Sequence, residues 1–285
     1  MVVSFYELEY SGPSGMKPAY VISTPEVRSP LMPGASGVFA DNLKYLKDLG
    51  YEAVEVAMRD PTDPDAKNVA TDFERVGLNA AMIGSAPSEF QDGVMLCHPE
   101  QAIREAGAQR LRSLVDMSVR LGALGVNIGR FRGTRSVGDL WDISTNWMLD
   151  AFKAGGDYAA ERGVKIYLEP YNRYETNFVN TVGQGADYVR EMDHPGISLM
   201  IDTCWMNSEE ASLSGAVLSG GDLIEYVQIA DSNRRYPGAG HIPFGDIMRA
   251  LRHIEYKGYL SVQIDQKPEF KTVAEKSINF LKCYL

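Results

Sequence analysis

The chain has 285 residues, of which 45% are hydrophobic and 23% are charged, and its formal net charge at pH 7 is −10. This balance is typical of a folded globular protein and excludes a chain that is too polar to form a core. The negative charge repels a phosphate backbone and no Lys/Arg cluster offsets it, so we expect no nucleic acid partner.

Short apolar segments of β character alternate with longer amphipathic segments along the chain. This alternation is typical of βα units around a parallel sheet. Three of the helical segments, FADNLKYLKDLG, EAGAQRLRSLVDMSVRLGALG and FGDIMRALRHIEYKG, each end at a glycine suited to a C-cap. The predicted strands are AYVIST (19–24), YEAVEVA (51–57), LNAAMIG (78–84), GVNIGR (125–130), KIYLEP (165–170), ISLMID (197–202), YVQIA (226–230) and YLSVQID (259–265).

Eight βα pairs in a chain of this length predict a (β/α)8 TIM barrel as a single domain over residues 19–285, preceded by an N-terminal extension of residues 1–18. A doubly wound open sheet is the alternative. It is disfavoured because no G-x-G-x-x-G motif opens a helix after a strand. In a barrel, the C-terminal ends of the strands surround the active-site mouth, so polar residues at those ends are candidate site residues.

The cysteines and the N-terminal segment bear on the compartment. Cys97, Cys204 and Cys283 lie far apart and form no CxxC pair, which supports neither a disulfide framework nor a zinc knot. The N-terminus lacks a basic region followed by an apolar run, and nowhere are there 18 consecutive apolar residues. We therefore expect a cytoplasmic protein with no export signal and no membrane span.

Oxygen-bearing side chains lie at or near the ends of four successive predicted strands, and they are Glu169, Asp202, Gln228 and Gln263. In a barrel these four positions would converge on one point. Burying the Glu169 carboxylate in an apolar strand is costly unless it is paired or binds a metal. We weigh a function for Glu169 against a salt bridge to Arg173 or Arg234, or to another partner at the barrel rim.

Asp202 has a simpler alternative role as the N-cap of the helix that follows it. The sequence favours a helix that begins later, near Ser208, which would leave Asp202 free. Trp205, three residues after Asp202, is either a packing residue or a wall on which a sugar ring stacks. Arg130, Arg132 and Arg135 near the fourth strand are candidates for an anion contact or for a solvated rim.

Seven segments together resemble the xylose-isomerase-like TIM-barrel superfamily, the sugar isomerases and epimerases that include the ketose 3-epimerases. The likeness spans about residues 20–265 and implies a small carbohydrate as the substrate and self-association into a homo-oligomer. The segments are TPEV (24–27), DLGYEAVEVAMRDP (48–61), LGALGVNIGRFRG (121–133), LEPYNRYE (168–175), IDTCWMN (201–207), ADSNRRYPGAGHIPF (230–244) and GYLSVQI (258–264).

The resemblance also implies a divalent metal, manganese, magnesium or cobalt, held by a Glu, an Asp, a His and a second Glu. In the family the two glutamates exchange protons with the sugar. These four positions fall on Glu169, Asp202, Gln228 and Gln263. Two metal ligands are thus amides here, and because an amide brings no charge to a hard cation, we expect a weakened or absent metal site.

The family's contacts to the substrate are only partly retained. The family's histidine falls on Trp205, whereas its Glu and Arg are present as Glu175 and Arg234. The glycine-rich loop after the seventh strand contains His241, a further candidate contact, for which hydrogen bonding to the backbone or to solvent is the commoner role.

The amide at position 263 also affects the chemistry, because an amide cannot exchange protons near neutral pH. Glu169 is then left as the single proton-transfer group. Asp265, two residues further on the same face of the strand, could replace Gln263, although an aspartate there more often caps a loop. Glu175, Asp231 and His241 are further candidates for the second acid.

Three functions remain open at this stage. The first is a sugar isomerase or epimerase that acts on a ketose or keto-sugar by proton transfer at Glu169, with a weak metal or Arg234 polarising the carbonyl. The second is a lyase or hydrolase that cleaves an oxidised glycoside by elimination, which needs one good base. The third is a catalytically silent barrel that binds a sugar or serves an active partner subunit.

Overall fold

The computed structural model describes residues 14–29, 32–136 and 138–285. Its parallel strands close into a barrel in chain order, with β8 paired to β1. The predicted (β/α)8 TIM barrel is therefore confirmed, and the open doubly wound sheet is excluded. The strands are β1 Lys17–Ser23, β2 Ala53–Ala57, β3 Asn79–Gly84, β4 Gly125–Ile128, β5 Lys165–Leu168, β6 Ile197–Asp202, β7 Ile224–Ile229 and β8 Tyr259–Val262.

Helices follow the strands and cover the barrel. No helix in the three described ranges is long and apolar enough to cross a membrane. The α-helices are α1 Phe39–Leu49, α2 Val69–Val76, α3 Ala86–Asp92, α4 Gln101–Leu121, α5 Trp141–Ala160, α6 Val182–Met192, α7 Thr203–Glu209, α8 Leu213–Gly220, α9 Phe244–His253 and α10 Phe270–Leu281. Single 3₁₀ turns lie at Pro64–Ala66, Arg130–Arg132, Gly138–Leu140 and Gly221–Leu223.

The N-terminal boundary is described only in part. Strand β1 begins at Lys17, two residues before the predicted start. Residues 1–13 of the segment 1–18, which the sequence predicts to be an extension, lie outside the described residues.

Two of the three predicted glycine caps are confirmed. Helix α1 ends at Gly50 and α4 ends at Gly122, both with positive φ, at 96° and 66°. The third is wrong, because α9 is capped by Ile254, well before Gly258. Gly258 instead leads into β8, and its carbonyl accepts the N–H of Lys17 at 3.0 Å.

The predicted strands extend too far at β5 and β8, so Glu169 and Gln263 each lie one residue beyond the strand. The pairing nevertheless continues through both residues. Glu169 N donates to Ile128 O at 3.2 Å, and Gln263 N donates to Ile229 O at 3.1 Å. After Glu169, Pro170 has no N–H with which to continue the ladder. Both side chains are thus fixed at the barrel rim by a last backbone bond.

A small hydrophobic cluster fills the barrel interior beneath the site. It consists of Ala19, Ala53, Ala81, Met82, Tyr167, Met200 and Tyr226. Because side chains alternate along a strand, residues two positions further on face the same interior. From Ala53, Tyr167, Met200 and Tyr226 this spacing leads to Glu55, Glu169, Asp202 and Gln228. The apolar layer is therefore followed, toward the C-terminal ends of the strands, by a polar layer.

Candidate active site

The four predicted strand-end residues lie at the same end of the barrel. Asp202 is in register with Gln228, and Gln228 is in register with Ser261, two residues before Gln263. Glu169, Asp202, Gln228 and Gln263 are all buried, with at most 3% of each residue exposed. The structure therefore brings together the side chains that the sequence singles out.

Glu169 is a buried carboxyl group, and neither of its oxygens has a hydrogen-bond partner in the described part of the chain. Burial raises the pKa of Glu169 well above its usual range, and the charges of Asp202 and Glu55 raise it further. Asn127 and Arg132 act in the opposite direction on this pKa. The environment of Glu169 therefore favours its protonated form more than water does.

The salt bridges considered for Glu169 from the sequence do not form. Arg173 pairs with Glu209, with Nη2 2.8 Å from Oε2, and Arg234 pairs with Asp202. Space around Glu169 is instead closed by backbone, since a Cβ atom added to Gly129 would lie 2.6 Å from Glu169 Oε2. Glycine at the end of β4 thus makes room for the carboxyl group.

Asp202 is the N-cap of α7, contrary to the prediction that the helix begins near Ser208. Its Oδ1 accepts the backbone N–H of Cys204 at 2.7 Å and of Trp205 at 3.1 Å. The helix begins directly after the strand because this cap satisfies its first donors. The other oxygen, Oδ2, accepts Arg234 Nη1 at 2.6 Å. Both oxygens of Asp202 are therefore engaged.

Arg234 lies on an aromatic stack beside this ion pair. Its guanidinium carbon is 3.9 Å from the centre of the Trp205 ring. The Trp205 ring in turn packs on Tyr171, with ring centres 4.8 Å apart. Arg234 Nη2 and Trp205 Nε1 are buried without a hydrogen-bond partner among residues 14–29, 32–136 and 138–285. The stack holds the guanidinium in place and leaves one of its nitrogens available to a ligand.

Gln228 points toward a second carboxyl group in the barrel. Its Nε2 donates to Glu55 Oε1 at 2.7 Å, and Ser261 Oγ donates to Glu55 Oε2 at 2.9 Å. Burial raises the pKa of Glu55 to about 7, although its hydrogen-bond donors lower it. Glu55 has no assigned role in the sequence-based site. The sequence feature that could have identified Glu55 is the same as for Glu169, namely a carboxylate inside an apolar strand.

A cleft of about 370 Å³ opens at this end of the barrel. Its wall combines aromatic and polar side chains, as is typical of sites that bind small molecules. Gln263 and Asp265 contribute to it, whereas Glu169 does not line it. The predicted contacts Trp205, Glu175 and Arg234 also line this cleft.

Gln263 and Asp265 hold Arg234 from the side of β8. Gln263 Oε1 accepts Arg234 Nη1 at 3.3 Å, and Asp265 N donates to the carbonyl of Arg234 at 2.8 Å. The Asp265 carboxylate pairs with Lys267, with an O to Nζ distance of 2.8 Å. Asp265 thus reaches the cleft but does not take the position of Gln263.

Glu175 belongs to a charged group on the opposite wall of the cleft. Arg130 binds it through Nη1 and also contacts both oxygens of Glu89, each at 3.0 Å. The Arg130 guanidinium lies over the Phe90 ring at 4.9 Å. Arg130 is therefore neither an isolated anion site nor a simple solvated side chain.

Arg132 is completely buried, so the prediction that it belongs to a solvated rim is wrong. Its guanidinium donates to the carbonyls of Gly129, Glu169, Phe178 and Val179 at distances from 2.6 to 3.1 Å. These bonds join the loop after β4 to the loop after β5. Burial lowers the pKa of Arg132 to about 10, which still leaves it charged at neutral pH.

The two remaining candidates for a second acid have structural contacts. Asp231 accepts the backbone N–H groups of Ser232, Gly238 and Ile242 at 2.7 to 3.1 Å. Burial raises the pKa of Asp231, but these donors outweigh it and hold the pKa below the usual value. His241 is exposed, and its Nδ1 lies 3.0 Å from Ser232 Oγ. Both residues shape the loop after β7.

The donor set does not fit the divalent metal that the family resemblance implies. Asp202 is occupied by backbone N–H groups and by Arg234, and Gln263 accepts a bond from the same guanidinium. Gln228 donates its amide nitrogen to Glu55 and has only the uncharged Oε1 left for a cation, without the carboxylate charge on which hard cations depend. Within the described ranges, no group of three or more His, Cys, Asp or Glu side chains could hold a metal ion.

Comparison with known proteins relates this chain to sugar epimerases. L-ribulose 3-epimerase of Methylomonas sp. (strain DH-1) is 32% identical over 222 residues, covering 75% of this chain and 74% of that protein. The 3-dehydro-D-guloside 4-epimerase of Escherichia coli (strain K12) is 26% identical over 234 residues, covering 77% and 84%. The sequence-based prediction of an enzyme of the sugar isomerase or epimerase type is confirmed at this level.

The fold comparison agrees. The crystal structure of D-allulose 3-epimerase from Methylomonas sp. in complex with D-allulose superposes with a TM-score of 0.79 at 24% identity, covering 95% of this chain and 98% of that one. The family model described as xylose isomerase-like TIM barrel matches residues 43–284. The chain therefore belongs to the xylose isomerase-like TIM barrel family.

Proposed function

We propose that this chain is an epimerase or isomerase of a ketose or keto-sugar, and that Glu169 transfers the proton. The observation that carries the proposal is the Glu169 carboxyl, buried at the active end of the barrel without a hydrogen-bond partner in the described residues. Buried polar groups are almost always paired, so an unpaired carboxyl indicates a group kept for chemistry. The sugar epimerases among the relatives supply the substrate class.

The cleft suits a small polar ring. Its volume of about 370 Å³ lies near the lower limit for small-molecule sites, which start at about 300 Å³. Trp205 and Tyr171 provide a flat aromatic surface for the C–H face of a sugar. Glu175, Arg130 and Asp265 surround it with charged groups that can bind hydroxyls.

In the reaction, Arg234 donates a hydrogen bond to the substrate carbonyl oxygen. Ionised Glu169 takes the proton from the carbon next to the carbonyl, and the electron pair of that C–H bond moves to the oxygen to give an enediolate. Return of a proton to carbon reverses the electron movement and completes the reaction. The sum of charges and protons is unchanged, so no oxidant or reductant is needed.

Two features of the site constrain this chemistry. Glu169 does not line the cleft, so contact with the reacting carbon requires local movement of a neighbouring side chain such as Tyr171. Gln263 cannot return a proton, so a proton delivered to the opposite face has to come from another group at the cleft. Asp265 is the carboxylate closest in sequence to Gln263 that lines the cleft. Without such a group, Glu169 alone would shuttle a proton on one face and interconvert a ketose and an aldose.

The test is turnover of a panel that contains L-ribulose, D-fructose and a 3-keto-glycoside, with products separated by chromatography. Glu169→Gln should abolish turnover, because the amide keeps the shape but cannot accept the proton. Glu225→Gln is the matched control, since Glu225 lies at the opposite end of the barrel and pairs with Lys165 at 2.5 Å. It should retain full activity.

The products also separate the remaining alternatives. A 3- or 4-epimer indicates a second proton donor, which Asp265→Asn should then remove. An aldose indicates transfer on one face by Glu169 alone. Release of an alcohol from the keto-glycoside would show elimination instead and overturn the proposal, as would full activity in Glu169→Gln.

A further inference from the structure

Two of the four positions that would hold the family metal are already bridged by the positively charged side chain of Arg234. Arg234 Nη1 lies 2.6 Å from Asp202 Oδ2 and 3.3 Å from Gln263 Oε1. It therefore joins the ends of β6 and β8. The geometry matches the chemistry, because a guanidinium N–H donates to a carboxylate and to an amide oxygen, and both are acceptors.

The guanidinium is also held rigidly enough to be a permanent part of the site. Its plane rests on Trp205 at 3.9 Å, and its own backbone carbonyl accepts the N–H of Asp265 at 2.8 Å. The Arg234 side chain is 12% exposed. Nη2 has no partner in the described part of the chain, so it remains as a buried donor.

The third position, Gln228, uses its amide group to contact Glu55. Gln228 donates through Nε2 to Glu55 at 2.7 Å, and Glu55 is itself held by Ser261. Glu55 thus holds the amide nitrogen, and Gln228 Oε1 is left without a hydrogen-bond partner within the described ranges. An uncharged amide oxygen is a poor ligand for a divalent cation, because hard cations depend heavily on carboxylate charge.

Building on the proposed function, we infer that Arg234 takes the place of the divalent metal, so that the site binds and polarises the keto-sugar oxygen with a guanidinium and works without a metal ion. Glu55 is a positioning residue in this arrangement, since it orients Gln228 and does not touch the substrate. The ligand class is a ketone or enediolate oxygen with an adjacent hydroxyl. Nη2 of Arg234 donates to the former and Oε1 of Gln228 accepts from the latter.

The first test is a manganese titration followed by electron paramagnetic resonance, together with metal analysis of the purified protein. It needs no substrate, so it can fail or succeed independently of the proposed function. The wild type should show no stoichiometric bound manganese. One tightly bound manganese per chain would overturn the inference, even if keto-sugar turnover is observed.

The positive control restores the family ligands. The folded double variant Gln228→His with Gln263→Glu should gain manganese binding that the wild type lacks, with circular dichroism confirming the fold. A folded double variant that still binds no manganese would overturn the view that the two amides exclude the metal. If the variant does not fold, the titration of the wild type decides alone.

The second test uses turnover. Activity of the wild type should be unchanged by a chelator and by added manganese. Arg234→Ala should lower kcat/KM by at least about 100-fold, and free methylguanidinium should restore part of this loss, because Arg234 borders the open cleft. Arg234→Lys should retain intermediate activity. Loss of wild-type activity with a chelator, or an Arg234→Ala variant as active as the wild type, would contradict the inference.

Discussion

The buried guanidinium of Arg132 donates through Nη1 to the backbone carbonyl of Glu169 at 2.6 Å. Glu169, the proposed proton-transfer group, is therefore fixed from its main chain, while its carboxyl oxygens stay unpaired in the described residues. The remaining donors of Arg132 bind the carbonyls of Gly129, Phe178 and Val179. A carboxyl that is anchored by its backbone can change its protonation state without losing its position.

Arg132→Met should therefore affect both stability and catalysis. It leaves several buried carbonyls without a donor, which should lower the free energy of unfolding by about 3 kcal/mol or more. The free energy of unfolding of Arg132→Lys should lie between those of Arg132→Met and the wild type, because an ammonium group has fewer donors than a guanidinium and lacks its planar fork. Urea denaturation measures the effect. Arg120→Met, on the exposed surface of α4, is the control, and its free energy of unfolding should stay within about 0.5 kcal/mol of the wild-type value. An equally small change in Arg132→Met would contradict the structural role of Arg132.

The close approach of Gly129 to Glu169 gives a second prediction. A methyl group at position 129 would lie 2.6 Å from Glu169 Oε2 and would also press on Tyr171. Gly129→Ala should lower kcat by about 100-fold, because displacement of a reacting group by about 1 Å has effects of that size. Gly183→Ala in α6 is the control, since its Cβ would meet no atom closer than 4.0 Å. Equal rates for the two variants would show that the position of Glu169 is not constrained by Gly129.

Glu55 gives a prediction for the pH dependence of stability. Its pKa is raised from 4.5 to about 7 in the folded protein. Between these values the folded state keeps a proton that the unfolded state releases, so the free energy of unfolding falls as the pH rises. The contribution is fully present below pH 4.5 and is lost as the pH rises through about 7. The loss should amount to about 3 kcal/mol, at about 1.4 kcal/mol per pKa unit.

Glu55→Gln should remove this contribution, because glutamine does not titrate. Urea denaturation at pH 5 and pH 8 should show a smaller loss of stability for the variant than for the wild type. The difference between the two curves reports Glu55 together with its coupling to Glu169, the other raised carboxyl, because the charge of Glu55 also raises the pKa of Glu169. Parallel curves would mean that Glu55 has an ordinary pKa.

In the proposed mechanism, the pH dependence of turnover follows the protonation of Glu169. Its raised pKa means that the basic form grows only well above the ordinary carboxyl range, which is about pH 4 to 5. The ascending limb of kcat/KM should therefore lie above that range. Glu55→Gln should shift the limb to lower pH, because the charge of Glu55 raises the pKa of Glu169. Glu225→Gln should leave the ascending limb of kcat/KM at the wild-type pH. An ascending limb of the wild type within the ordinary carboxyl range would argue against Glu169 as the base.

The fold and the positions of the site could be predicted from the sequence because both follow from periodicity. Eight apolar segments fix the barrel, and a carboxylate inside such a segment, as at Glu169, has to face the interior near the rim. The same reasoning applies to Glu55 in the segment AVEVA of β2. Its role was missed because the family ligands lie on the other half of the barrel.

The contacts among these residues could not be predicted, because they depend on pairs that are far apart in the chain. Gln228 and Glu55 are 173 residues apart, and only the closed barrel places the amide against the carboxylate. Arg234 reaches Asp202 from a loop in which its own φ is 58°, in the left-handed region that arginine rarely adopts. The early start of α7, by contrast, rests on a local contact, in which Asp202 Oδ1 accepts the N–H groups of Cys204 and Trp205.

The most direct measurement is exchange of substrate hydrogen with solvent in D2O, followed by proton NMR on the keto-sugar that the panel identifies. The account predicts that the wild type replaces the hydrogen on the carbon next to the carbonyl by deuterium, and that Glu225→Gln does the same. Glu169→Gln should leave that hydrogen in place. Deuterium uptake in Glu169→Gln at the wild-type rate would contradict proton transfer by Glu169.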